Sequence, residues 1–477
     1  MTLQIYNTPY KKKHPFNPLN GNNVGMYVCG VTVYDMCHIG HARSLIVFDV
    51  IARFLRRKGY KLTYVRNFTD VDDKIIARAN SLGKPYNEIS ERYIDEFITD
   101  MDILKVRPAD IEPKATEHIS QIIEMVRMLE DKGLAYAADD GSVYFSVSGF
   151  RGYGKLSGRR IEDMIAGTRF DVEEAKHDPL DFAIWKRSKE GEPSWDSPWS
   201  KGRPGWHIEC SAMSTHYLGH TLDIHGGGRD LIFPHHENET AQSEGAFGSE
   251  FVRYWIHNGF VTIGGDKMSK SLGNFLTIRD LTKEVHPEVL RLLLLSRHYR
   301  SPIDFSKEAV SSSQQALVRF YEMLDRIRKS PLKDGDSVLA GIMTAFDEHL
   351  DEAMCDDFNT AKAIAHLHDL TTRVNKVLDD NPCVSPEDKT SVSKSVADIS
   401  DILGILEEDP SPFLEMIKRS GISEMGLTQT EIEKLIDQRN AARKARDFTK
   451  ADEIRDTLKS RGIVLKDTPE GTSWEKG

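Results

Sequence analysis

The order of residue patterns along the chain predicts an α/β protein: a doubly wound parallel-sheet domain with an insertion, then a helical bundle, then a small mixed C-terminal domain. Three observations carry this. Val24 to Val33 is a β-rich run ending in a glycine-containing turn, Ile39 to Lys58 suits a helix, and Leu62 to Phe68 suits a second strand; strand, turn, helix, strand is the unit from which parallel sheets are wound. After an interruption the alternation resumes near Trp206, Leu222 to His225 and Phe251 to Ile263. From Ser306 to Leu406 nearly every stretch is helix-compatible, which predicts a bundle.

Taken in order, the sheet domain is expected over 1–120 and 200–260, with helical periodicity dominating from Tyr86 to Leu134. The interruption, 121–199, contains a hairpin signal around Gly141 to Val147 and then a Gly- and charge-rich stretch, so it reads as an insertion. Residues 261–305 form a loop-bearing stem, 306–410 the bundle, and 411–477 the last domain. In that domain Thr428 to Arg461 reads as charge-rich helices, and Gly462 to Asp467 as a short strand before a turn-rich end.

A chain of 477 residues is too long for one core. Its formal charge of -11 does not suggest a polyanion binder, although such binding rests on local patches rather than totals. Five cysteines (Cys29, Cys37, Cys210, Cys355 and Cys383) are odd in number and scattered, which argues for a reducing compartment over a disulfide framework. The first residues lack a signal-peptide layout and no run approaches a membrane span, so the expected location is cytoplasmic, with no membrane partner.

Two short motifs carry chemistry. His38-Ile-Gly40-His41 stands where the first strand's turn enters a helix. Backbone N–H groups and the positive helix end favour phosphate there, Gly40 lets a flat base approach, and the imidazoles offer donors to oxygens that gain charge. Taken alone it equally suits two histidines near a helix start. Lys267-Met-Ser-Lys270-Ser, introduced by Gly264-Gly265, sets two lysines on a glycine-hinged loop. That arrangement suits a mobile clamp for polyphosphate, or merely a solvated loop.

A third constellation is spread over three segments: Cys29, Cys210 in Gly205-Trp-His-Ile-Glu-Cys, and His235 with Glu239 in Phe233-Pro-His-His-Glu-Asn-Glu. His235 and Glu239 are four apart, hence on one helical face, with His236 and Glu237 expected to point elsewhere. Two thiolates, an imidazole and a carboxylate make a plausible tetrahedral zinc set. Spacing alone does not group the segments, and each cysteine equally suits a small core position.

The two motifs together resemble the signatures of class I aminoacyl-tRNA synthetases, whose nucleotide-binding domain is Rossmann-like. Tyr27-Val-Cys-Gly-Val-Thr-Val-Tyr-Asp, Trp206-His-Ile-Glu-Cys-Ser-Ala-Met and Phe233-Pro-His-His-Glu-Asn-Glu resemble segments of the cysteinyl-tRNA synthetases, and the similarity runs the length of the chain. The resemblance implies that His38, His41, Lys267 and Lys270 are catalytic, with Lys270 the main ATP-contacting lysine. It implies one zinc per chain on Cys29, Cys210, His235 and Glu239, and Mg2+ arriving with ATP. Gly40, Gly228 and Asp230 are implied at the ATP, the last two near its ribose; Gly30, Thr32, Thr69, Trp206 and His225 are implied to line the amino-acid pocket. Cys37 is read as structural.

Zinc makes physical sense. Serine nearly matches cysteine in shape, and packing alone separates such pairs by only ~1–3 kcal/mol. Zinc takes a thiolate as an added ligand and favours a hydroxyl far less. The insertion is modest, so no editing domain is expected.

Between Arg439 and Arg461 eight residues are basic and four acidic, a local excess of four in an acidic chain. The stretch suits a solvated helix pair; by resemblance it suits an anticodon reader with Arg439, Arg443 and Arg446 on RNA and Trp474 available to stack. The implied partners are ATP, L-cysteine and tRNA(Cys), on a monomer. Two rivals remain: a ligase joining cysteine to an amino-sugar, which lacks a region such as Ser411 to Gly477, and a non-catalytic RNA-binding relative, against which the intact signatures argue.

Overall fold

Four parallel strands lie side by side in the computed structural model, in the order Val252–Asn258, Leu222–Gly228, Asn23–Val28, Lys61–Arg66. The structure describes residues 1–160, 176–267, 276–424, 429–460, 463–468 and 471–476, without the side chains of 266–267, 420–424, 429–430, 466, 468, 471 and 473–476. The chain forms two compact units, one of 1–317 with 332–405, the other of 318–331 with 406–477. Among the described residues no helix is long and apolar enough to cross a membrane.

The first parallel strand is central because the chain winds one way to reach Lys61–Arg66 and the other way to reach Leu222–Gly228. Tyr27 faces His225 and Val28 faces Gly226 across the join. A crevice for ligands opens beyond the carboxyl ends at such a switch point. Met26, Tyr27, Val28, Val65 and Ile224 are buried, as strands covered on both faces require.

The helix Ile39–Arg57 buries residues all round, from Ala42 to Leu55, and so carries its charges inside. Buried charges demand partners. Asp49 accepts from Arg53 Nε at 2.9 Å and from Arg291 of the helix Pro287–Leu295. Arg291 also donates to the carbonyls of Leu403 at 2.6 Å and Leu104 at 3.1 Å, tying four segments together.

The expected helical run from Tyr86 to Leu134 is two helices, Tyr86–Ile103 and Ile119–Asp131. Pro108 and Pro113 stop helix between them, and the extended stretch runs beside the second strand, with Arg66 N–H on the Ile111 carbonyl and Phe68 N–H on that of Pro113. A further helix, Asp73–Leu82, starts on the Asp72 side chain and ends at Gly83, whose φ of 63° suits glycine. An N-terminal hairpin, Gln4–Asn7 with Lys12–Pro15, was not foreseen in the sequence.

The insertion is a four-stranded antiparallel sheet of Ala135–Ala137, Val143–Phe145, Phe182–Arg187 and Gly202–Pro204, so it runs past the expected boundary at 199. Phe145, Ile184 and Trp185 share one core with the helices Ile119–Asp131, Trp206–Leu218 and Glu237–Phe247, which fixes the insertion to the sheet domain. The helices Ala340–Cys355, Thr360–Asp380 and Pro386–Leu403 form the bundle. The end of Lys307–Lys329 groups instead with the C-terminal unit, where Tyr321 stacks on Phe413 at 4.0 Å. In that unit the helices Gln429–Lys444 and Phe448–Ser460 and the hairpin Ile463–Thr468/Gly471–Lys476 close over Ile432, Ile436, Leu458 and Ile463; the second hairpin strand replaces the turn-rich end expected there.

Candidate functional site

Both groups of site residues arise at the carboxyl end of the central strand. Cys29 directly follows the strand Asn23–Val28, and nine residues further on His38 caps the helix Ile39–Arg57. Its Nδ1 accepts from the N–H of Gly40 at 3.1 Å and His41 at 3.4 Å, while His38 N–H donates to His41 Nδ1 at 3.4 Å. The rings stack with centroids 3.7 Å apart. Each Nδ1 is thus an acceptor, so each neutral ring keeps its proton on Nε2 as a donor. Burial, then His38 and Lys74, lower the His41 pKa to about 3, so the ring is neutral at physiological pH.

The chain past the second signature returns to this helix start: Ile39 N–H meets the Leu276 carbonyl at 3.2 Å and Ile278 N–H meets that of Cys37 at 3.0 Å. On its other side Lys267 pairs by backbone with Thr262. The described residues on either side of the second signature are therefore held to the same end of the sheet as His38 and His41, while Lys270 and the side chain of Lys267 lie outside the described residues. Cys37 is buried, and burial pushes its thiol up to about 12, which suits a structural role.

The three cysteine, histidine and acidic segments converge. Cys29, Cys210, His235 and Glu239 each bring a donor atom within 4.8 Å of the others. Cys29 Sγ lies 3.7 Å from Cys210 Sγ and 3.3 Å from Glu239 Oε1, and His235 Nε2 lies 3.0 Å from the same oxygen. Burial, assisted by Cys210, raises the Cys29 thiol, while its hydrogen bond lowers that of Cys210 to about 6. Burial alone would lower His235, but Glu239 and Cys210 together outweigh it and raise the ring to about 10; burial of Glu239 is likewise outweighed by His225 and His235, which hold it well below the usual carboxylate range. Two thiols, an imidazole and a carboxylate in one buried cluster are the donor set that zinc takes, so these residues fit that ion.

The helical face expected to separate His235 from His236 is not formed. Ile232–His236 is a wide turn broken at Phe233 (φ −141°, ψ 130°), and the regular helix begins only at Glu237. His236 therefore also faces the cluster, its Nε2 3.4 Å from Cys29 Sγ, and Cys29, His225, His236 and Glu239 form a second converging set. His225 and His236 are better spent as orienting partners. His225 Nε2 meets the free oxygen of Glu239 at 2.8 Å, and His236 Nδ1 meets His257 Nε2 at 2.8 Å. His257 Nδ1 in turn meets Thr8 Oγ at 2.7 Å. His225 is fully buried behind Glu239 and stacked on Trp255.

Trp206 begins the helix that carries Cys210, stacks on His235 at 4.2 Å and keeps 39% of its surface exposed, so it covers the cluster at its mouth. Gly30 is forced: a Cβ there would stand 1.5 Å from the Asn67 carbonyl oxygen. Its N–H donates to Asn67 Oδ1 at 2.9 Å, and Asn67 Nδ2 donates to Thr69 Oγ at 3.4 Å, while Thr69 bridges to Thr32. Gly30, Thr32 and Thr69 thus meet beside the cluster. Gly228 ends its strand, and Asp230 stands exposed in the following turn at the switch point. Sequence reasoning missed Asn67, His207, His236 and His257; polar residues closing apolar strands, as in Val65-Arg-Asn and Trp255-Ile-His-Asn, are the signal that marks two of them.

In the C-terminal unit Arg439 is not displayed for RNA: it is buried and grips Asp467 with both amino groups, at 2.9 and 2.8 Å. Arg443 is half exposed and meets Asp467 at 2.7 Å, and Arg446 is exposed in the turn between the two helices. The side chain of Trp474 lies outside the described residues.

Residues 15–315 match the tRNA synthetases class I (C) catalytic domain, 349–407 the DALR domain, and 427–474 the cysteinyl-tRNA ligase anticodon binding domain. The chain is 53% identical over its whole length to all of a cysteine–tRNA ligase of Geobacter sulfurreducens. It is 52% identical to one of Desulfotalea psychrophila, over 99% of each chain. Among solved structures, a Mycobacterium tuberculosis methionyl-tRNA synthetase with methionyl-adenylate superposes with a TM-score of 0.63 at 16% identity, over 86% of this chain and 95% of that one, a likeness of fold.

Proposed function

The chain belongs to the class I cysteine–tRNA ligases, and from that premise we propose how its own residues divide the work of activating L-cysteine with ATP and passing it to tRNA(Cys). The observation that carries the proposal is the meeting of Cys29, Cys210, His235 and Glu239 at the carboxyl end of the strand that leads to His38 and His41.

His38 and His41 present Nε2–H donors to the α-phosphate oxygens, which gain charge as the cysteine carboxylate attacks and pyrophosphate leaves. Because each Nδ1 is fixed by a backbone N–H, neither ring turns when ATP arrives. Lys267 and Lys270 close on the departing phosphates, with Mg2+ carried in by ATP. Gly40, Gly228 and Asp230 take the adenosine, and Gly30, Thr32, Thr69 and Trp206 enclose the amino acid. Cys29, Cys210, His235 and Glu239 hold zinc, which when bound supplies a soft Lewis acid for a thiol that a serine hydroxyl matches poorly. His225 and His207 keep Glu239 and His235 in their orientations, His207 Nδ1 standing 2.8 Å from His235 Nδ1. Arg443, Arg446 and Trp474 read the RNA in the C-terminal unit.

The test is ATP–pyrophosphate exchange across the twenty amino acids, with metal analysis and charging of tRNA. Exchange confined to cysteine, with one zinc per chain, is expected. Exchange with another amino acid would overturn the assignment.

A further inference from the structure

The N-terminal hairpin lies along the outer edge of the parallel sheet. Asn7 brackets strand Val252–Asn258, its Oδ1 accepting from Trp255 N–H at 2.9 Å and its Nδ2 donating to the Arg253 carbonyl at 2.6 Å. Thr8, the next residue, is bonded to Trp255 and His257. The hairpin thus advances toward the carboxyl end of that strand, and its tip, Tyr10-Lys11-Lys12, lies at the end of the sheet where the site opens. Tyr10 is 55% exposed and both lysines are exposed. Lys13 is occupied by Asp356.

The insertion brings a second basic element to the same place. Glu237, fully buried, accepts from the N–H groups of Gly154 at 2.9 Å and Ser157 at 2.7 Å, clamping residues 154–157 onto the cluster-bearing helix. Arg159 then lies over the Phe233 ring at 4.3 Å, two residues before His235, and Arg160 follows, exposed. The Lys11 ammonium stands 4.0 Å from where a Gly158 side chain would begin. Lys11 and Arg159 therefore approach from separate elements, and none of the ion pairs among the described residues gives either a carboxylate. Like charges brought together at the rim of a site, with an exposed aromatic ring beside them, suit a polyanion with bases to stack.

We propose that the hairpin tip, Tyr10-Lys11-Lys12, and the strap Arg159-Arg160 form a docking surface for the acceptor end of the tRNA, gripping its phosphates while the 3′ end enters over Phe233 and Trp206. The surface rests on the function proposed above, since a tRNA whose end must reach the adenylate has to cross this rim. Charge complementarity selects the occupant: in a chain that is acidic as a whole, the hairpin tip and the strap bring the exposed basic side chains of Lys11, Lys12, Arg159 and Arg160 to one place. The acceptor arm is chosen over the anticodon arm because the surface lies beside the site and not in the C-terminal unit.

The full-length protein carrying Lys11→Gln and Arg159→Gln tests it, beside wild type, with intact tRNA(Cys) and with a minihelix of its acceptor and T arms. Cysteine-dependent pyrophosphate exchange should stay at the wild-type rate, which also reports that the variant folds. The KM for tRNA should rise on the order of tenfold, and the slope of log affinity against log salt should fall by about one per lost phosphate contact, for minihelix and tRNA alike. Unchanged KM and salt slope with intact exchange would overturn the docking surface while leaving the ligase assignment standing. Loss of exchange in the variant would also overturn it, by placing these side chains in the ATP chemistry. Absence of cysteine-dependent exchange in wild type is the separate result that would remove the ligase assignment.

Discussion

Cys29 Sγ and Glu239 Oε1 stand 3.3 Å apart although 210 residues separate them. One immediately follows the central strand; the other sits in the first turn of the helix that leads to the outer strand of the same sheet. Only the doubly wound topology brings the two together, and the metal assignment depends on that meeting.

Cys210→Ser is expected to lose most of its zinc, because it replaces a thiolate by a poor ligand; Glu239→Gln is expected to lose less. In both, cysteine activation should fall much further than serine activation. The measurement is metal content beside the two exchange rates. A discrimination ratio that survives in a folded, metal-depleted variant would leave selectivity to packing alone.

His41→Ala is expected to cost ~2–4 kcal/mol of transition-state stabilisation in adenylate formation, with fold and zinc retained. His38→Ala should cost as much chemistry and in addition about 1 kcal/mol of stability, because it removes a helix cap. Denaturant unfolding separates the two variants. Lys270→Ala should slow adenylation by an amount similar to His41→Ala and leave unfolding unchanged.

Asp49→Asn is expected to destabilise the larger unit by about 3–5 kcal/mol, since Arg53 and Arg291 would remain buried without their counter-charge. Its urea midpoint should drop at unchanged slope. A surface-like change below about 0.5 kcal/mol would contradict the brace.

Arg439→Gln should lower the melting temperature of the C-terminal unit, whereas Arg443→Gln with Arg446→Gln should weaken tRNA binding and flatten its salt dependence without altering exchange. The Arg439 hydrogen bond, aided by Thr472, holds the Asp467 carboxyl well below the usual range. A depressed carboxyl pKa contributes stability above the ordinary value of about 3.9 and loses it as pH falls through the native one. Melting of this unit should therefore be flat in pH from 5 to 8 on account of this pair, and drop only in strong acid. Asp467→Asn should show no such acid step.

Much of this architecture was legible in the sequence because parallel strands buried on both faces are apolar runs, and the glycine turn after the central strand has few alternatives. The grouping of the candidate metal cluster was legible through resemblance and not through spacing: Cys29, Cys210 and His235 belong to segments whose distance along the chain says nothing of their distance in space. His236 escaped because a helical wheel drawn through Phe233 assumes a regularity that the turn at 232–236 lacks. Arg439 was misread for a general reason. Composition counts a guanidinium as available, and only the fold reveals that Asp467, 28 residues on, has claimed it. The hairpin at the N-terminus was missed because its strands are four residues each and mostly polar.

The closeness of Gly30 to the Asn67 carbonyl limits what this pocket can become. With no room for even a methyl group, the floor beside the cluster is peptide backbone, and point substitution cannot reshape it without moving two strands at once. On the proposed pocket, any attempt to broaden the enzyme toward larger or differently functionalised thiols has to work from elsewhere, and Trp206, stacked on His235 and partly in solvent, can be trimmed. Selection acting on this chain faces the same asymmetry: a backbone wall that substitution cannot trim, and an exposed indole that it can.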